Sequence, residues 1–103
     1  MDLTVAIYQL TEKFPKNEMY GLTAQMRRAS ISIPSNIAEG SRRGTRKDFR
    51  YFVLNAFGSG AELETQIQLA QKLQFASKVD YTKADVLLGE IMRMLNKMSA
   101  TLQ

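Results

Sequence analysis

The sequence predicts an all-α protein, an antiparallel up-down four-helix bundle formed by a single domain, residues 1–103. Three observations lead there. Apolar residues recur at intervals of three and four along almost the whole chain, the spacing that places them on one face of a helix. No strand is visible between these runs. Turn-forming residues divide the pattern into four segments with short connections, and a bundle is the economical way to bury four amphipathic faces.

The first helix, about 2–14, follows Asp2, carries Leu3, Ala6 or Ile7, Leu10 and Phe14, and is ended by Pro15. The segment "PKNEMYG" reads as a loop. The second helix, about 22–40, aligns Leu22, Met26, Ala29, Ile33 and Ile37, and Gly40 is placed to close it as a left-handed cap. Pro34 lies inside it and removes the N–H that would bond to the Ser30 carbonyl. A kink or break is expected there, at a cost of about 3 kcal/mol if nothing compensates.

The third helix, about 45–74, begins at a Thr45 cap with Asp48 at the third helical position. Phe49, Val53, Ala56, Gly60, Leu63, Ile67, Ala70 and Gln74 form its packing seam. Gly58, Ser59 and Gly60 cluster in its middle. Glycine there costs about 1 kcal/mol relative to alanine, and close approach of another backbone is the expected compensation. After a break at "FASKV", Asp80 caps a fourth helix, about 80–102, whose Met92, Met94 and Met98 read as core filling. At 1.5 Å per residue the third helix is expected to run about 45 Å and the first only about 20 Å. Either residues before Met1 or a neighbouring subunit would then cover the seam, and an uncovered strip is an expected site of association.

Composition narrows the function. The chain has no cysteine and no histidine, which removes disulfides, thiolate metal sites and the commonest general base. Glu39, Glu62 and Glu64 lack the histidines that di-iron bundles place one turn from a glutamate, so no metal or other cofactor is expected. No apolar run approaches the roughly 20 residues that span a bilayer, and no export signal is visible, so a cytoplasmic, non-membrane protein is expected.

The formal net charge is +4, and it is unevenly placed. Arg27, Arg28, Arg42, Arg43, Arg46, Lys47 and Arg50 face only Glu39 and Asp48 between residues 27 and 50. Arg46 and Lys47 fall in the first turn of the third helix, where the dipole is already positive, and Arg46 and Arg50 stand one turn apart as like charges. Stability alone does not select such residues, whereas phosphate oxygens would. Tyr51 adds a stacking face for an unpaired base, and Arg28 could extend the basic face along the second helix. The alternatives are a solvated corner, and a structural ion pair of Glu39 with Arg42, Arg43 or a neighbour's Arg28. Glu62 and Gln66, one turn apart, are expected to hydrogen-bond across an interface and set helix register.

"RRASISIPSNIAEG" followed by "FGSGAELETQ" closely resembles the small bacterial four-helix-bundle proteins encoded within intervening sequences of large-subunit ribosomal RNA genes. The chain is also similar to the accessory protein of diversity-generating retroelements. The resemblance covers essentially the whole chain and implies an up-down bundle, a ring-like homopentamer, work with nucleic acid and no catalytic activity. Relatives carry an additional stretch before the point matching Asp2. The expected protein is a non-enzymatic homo-oligomer that binds RNA through Arg28, Arg42, Arg43, Arg46, Lys47, Arg50 and Tyr51. The alternative is a structural scaffold whose basic corner contacts an acidic protein partner or a neighbouring subunit.

Overall fold

A computed structural model describes residues 1–103 as four α-helices with no strand. Helix α1 spans Asp2–Thr11, α2 Leu22–Ser41, α3 Arg46–Lys72 and α4 Thr82–Thr101, with single 3₁₀ turns at Lys16–Glu18 and Lys78–Tyr81. Helix α1 packs on α2 and α4, and α3 packs on the same two, so the four helices enclose one core. The long dimension, 43 Å, is set by α3.

Helix α1 stops at Thr11, three residues earlier than expected, where Phe14 N–H bonds back to the Thr11 carbonyl at 3.0 Å and Pro15 follows. Phe14 turns inward, with its ring 5.4 Å from Phe75 and 6.4 Å from Tyr81, and the three rings close one end of the core. Tyr81 is buried, and its hydroxyl donates to the Phe75 carbonyl. The expected loop after Pro15 is a 3₁₀ turn, and Glu18 accepts from the Leu22 N–H at 3.2 Å to start α2.

Two expectations about α2 need correction. Pro34 does not break α2, which runs continuously from Leu22 to Ser41, and the Ser30 carbonyl that the proline leaves without its helical donor accepts the Thr4 hydroxyl of α1 at 3.1 Å. Gly40 does not cap the helix in the left-handed region; α2 runs on to Ser41, and no glycine in the chain has positive φ. Gly40 is instead buried against α3. A Cβ there would stand 2.8 Å from Phe52 Cβ and 3.0 Å from a Phe49 ring carbon.

Thr45 caps α3 as the sequence indicates, its hydroxyl accepting from the Asp48 N–H at 3.1 Å. The seam residues Val53, Ala56, Gly60, Leu63, Ile67 and Ala70 are buried. Gln74 lies beyond the helix end, at φ 61°, and Phe75 N–H bonds back to the Ala70 carbonyl at 3.0 Å, so a non-glycine residue fills the left-handed closing position.

The two glycines of α3 differ. No atom lies within 4 Å of a Cβ built at Gly58, so no other backbone of this chain approaches it. Gly60 is buried against the Met92 side chain of α4, again not against a backbone. Ser59 does join helices: its hydroxyl lies 2.8 Å from that of Ser32, which also accepts from Asn36 at 3.0 Å. The Glu62–Gln66 bond, 3.0 Å, forms within α3 and crosses no interface of this chain, because residues one turn apart meet on their own helix. Gln66 is buried, and its side-chain carbonyl has no partner.

Asp80 does not itself cap α4. Its carboxylate closes a capping box with Ser77, accepting from the Ser77 N–H at 3.0 Å and hydroxyl at 2.7 Å, and thereby starts the 3₁₀ turn that leads into the helix. Along α4, Ala84, Leu88 and Leu95 are buried, but Met94 is 52% exposed and so is not core filling.

Candidate nucleic-acid interface

The link from Arg42 to Thr45 joins α2 to α3 and places the basic side chains at one end of the bundle, beside the end of α4. Arg46 Nη2 donates to the Thr101 carbonyl at 2.6 Å, and Arg50 Nε donates to the Ser99 carbonyl at 3.0 Å. A helix end leaves its last carbonyls without partners and carries the negative end of the dipole, so two guanidinium groups satisfy both needs. Arg46 and Arg50 therefore stabilise the fold, contrary to the expectation that stability does not select them. Each guanidinium keeps further N–H donors for a second acceptor.

Arg43 folds back along α2. It pairs with Glu39 through Nε at 3.1 Å and Nη2 at 3.0 Å, and its guanidinium carbon lies 5.0 Å over the Phe52 ring. Of the candidate partners for Glu39, Arg43 is the one it takes. Phe52 in turn meets Tyr51 edge to face at 5.2 Å, which steadies an otherwise open ring, 61% exposed. Arg42 and Lys47 are exposed, and their side chains have no hydrogen-bond or ion-pair partner in the chain. Lys47 stands one helical turn before Tyr51, on the same face.

Not every basic residue joins this cluster. Arg28 is exposed on α2, fourteen residues before Arg42 and therefore about 21 Å along the helix. Arg27 is structural: Nε donates to the Thr11 hydroxyl at 2.9 Å, and the guanidinium lies 4.4 Å over the Tyr8 ring, so it ties α2 to α1. The role of the α4 carbonyls is invisible in sequence, since Thr101 and Ser99 lie 55 and 49 residues from their partners. No group of three His, Cys, Asp or Glu side chains comes together as a metal site, and no helix is long and apolar enough to cross a membrane.

The chain is thus a small helical bundle with a basic turn and a carbonyl-anchored arginine pair. The chain belongs to the 23S rRNA-intervening sequence protein family, whose model matches residues 1–97. No curated protein matches the chain significantly.

Proposed function

We propose that this protein is a non-enzymatic homo-oligomer, built from antiparallel up-down bundles, that binds RNA at the α2–α3 corner. One observation carries the reading: exposed Tyr51, edge to face with Phe52, stands one helical turn from the exposed, unpaired Lys47, and the turn that opens α3 begins with the exposed, unpaired Arg42. Two free charges suit phosphate oxygens, and an open aromatic face suits an unstacked base. Arg46 and Arg50 add guanidinium groups already oriented by the end of α4, which lowers the ordering cost of a contact. Arg28, about 21 Å further back along α2, would contact such a ligand apart from the corner. Self-association, with the pentamer that the family resemblance implies, would repeat the corner and add avidity on one strand.

The rival reading, a scaffold that meets an acidic protein or a neighbouring subunit, is favoured by the inward bonds of Arg43, Arg46 and Arg50, which leave less free charge than the sequence suggests. Salt dependence separates the two. Affinity for oligouridylate should fall with a log–log slope of about −0.7 per phosphate contacted. The triple variant Arg42→Gln, Arg43→Gln, Lys47→Gln should weaken binding and flatten that slope with Arg46 left intact. Replacing Lys72, Lys78 and Lys83 by Gln, which removes the same three charges from elsewhere, should do much less. Equal loss in both proteins would assign the effect to net charge and sink the corner as the site.

A further inference from the structure

At the end of α1 away from Met1, a polar cavity of about 170 Å³ lies between α1, the 3₁₀ turn and the start of α2. A single bridging water needs only about 10–15 Å³ of accessible space, so the cavity has room for a larger polar occupant. Its lining includes Thr11, Glu12, Lys16, Met19, Thr23 and Arg27. It stands at the opposite end of α2 from the basic corner.

Three of these side chains hold donors that nothing in the chain receives. Thr23 is only 4% exposed, yet its hydroxyl has no hydrogen-bond partner in the chain. Buried hydroxyls are nearly always satisfied in a folded protein, and the cavity is where a partner for this one can stand. Arg27 spends Nε on the Thr11 hydroxyl at 2.9 Å, and that hydroxyl is itself fixed to the Ile7 carbonyl at 2.8 Å. Both Nη groups stay free, and the guanidinium, held 4.4 Å over the Tyr8 ring, is oriented before any ligand arrives. Lys16 is exposed at the rim and makes no ion pair. The Thr23 and Ala24 N–H groups have no backbone acceptor, so the positive end of the α2 dipole is uncompensated here.

We propose that this cavity binds a phosphate group, as the inorganic ion or as the end of a small phosphate monoester. The inference goes beyond the RNA reading and does not depend on it, because no residue of the corner lines the cavity. A guanidinium fork, an ammonium group and a hydroxyl approaching from different elements suit a tetrahedral anion that only accepts hydrogen bonds. A carboxylate offers two oxygens to the same donors, and a metal cation would meet two positive side chains and the single carboxylate of Glu12.

The test follows amide and arginine side-chain NMR signals of the full chain during titration with sodium phosphate at about pH 8, where the anion is doubly charged. Sodium chloride at equal ionic strength is the reference. Saturable shifts are expected at Thr23, Ala24 and Arg27 Nε. Because the Thr23 hydroxyl satisfies nothing in the free chain, Thr23→Val should hold or raise the melting temperature while weakening phosphate binding about two- to tenfold. Lys16→Gln should weaken it about two- to fivefold, and Glu12→Gln should tighten it by a similar factor. Glycerol 3-phosphate distinguishes the two sources: tighter binding than the inorganic ion assigns the cavity to an ester, weaker binding to the free ion. Shifts that chloride reproduces, shifts centred on Arg42 and Lys47, or a Thr23→Val protein that binds phosphate as the parent does would overturn the proposal.

Discussion

Alanine in place of glycine should move stability in opposite directions at Gly40, in the last turn of α2, and at Gly58, in the middle of α3. Glycine in a helix is about 1 kcal/mol less favourable than alanine, mainly through backbone entropy. At Gly58 nothing within 4 Å opposes a Cβ, so Gly58→Ala keeps that gain, and melting should rise by about 4–8 °C. At Gly40 the new carbon would stand 2.8 Å from Phe52 Cβ, well inside the ordinary carbon contact of about 3.5–4.0 Å. Phe52 Cβ moves only with the α3 backbone, so no rotamer change relieves the overlap and the two helices must separate. Overpacking of this kind costs about 1–3 kcal/mol, which outweighs the propensity gain over most of that range. Thermal unfolding followed by far-UV circular dichroism, at one protein concentration, reads both variants against the parent. A Gly40→Ala protein that melts at or above the parent would refute the close α2–α3 approach.

Three further outcomes are expected. Thr4→Val should destabilise by about 1–3 kcal/mol, since it strips the Ser30 carbonyl of its donor, and the loss should shrink in a Pro34→Ala background, where α2 supplies its own N–H; a double-mutant cycle with no coupling would reject this. Replacing Arg46 and Arg50 by Ala should lower stability by about 0.3–1 kcal/mol each and speed amide exchange in the last turn of α4, with little change in α1. Lys13, and after it the Ser77 hydroxyl and N–H, lowers the pKa of Asp80 from its ordinary 3.8 to about 2. Its contribution is therefore present above pH 3.8 and is lost as pH falls toward 2, so acid melts of the parent should decline through that window while Asp80→Asn, already weaker at neutral pH, declines less.

The helices are legible in the sequence because three-four spacing and caps such as Thr45 are local signals, and nearest neighbours along the chain decide them. What escapes a linear reading is whatever depends on a distant partner. Pro34 looks like a break until the Thr4 hydroxyl, 26 residues away, is known to serve Ser30. Gly40 has the chemistry of a cap, and only the position of Phe52 shows that it is a contact. Arg46 and Arg50 look unfavourable at a helix start because the carbonyls they satisfy belong to another helix. The candidate site was legible as a concentration of charge, but not as a division between anchored and free cations.

The α2–α3 pair carries a consequence for the order of folding. The contacts of Gly40 on Phe52 and Ser32 on Ser59 join helices separated by a four-residue link, whereas the arginine bonds to α4 close loops of 49 and 55 residues. Short closures cost less entropy and form early. During synthesis the pair is complete in sequence once residue 72 has emerged, ahead of all of α4. At that stage the whole basic turn has emerged, and Arg46 and Arg50 have no α4 carbonyls to bind until the last helix arrives to claim them.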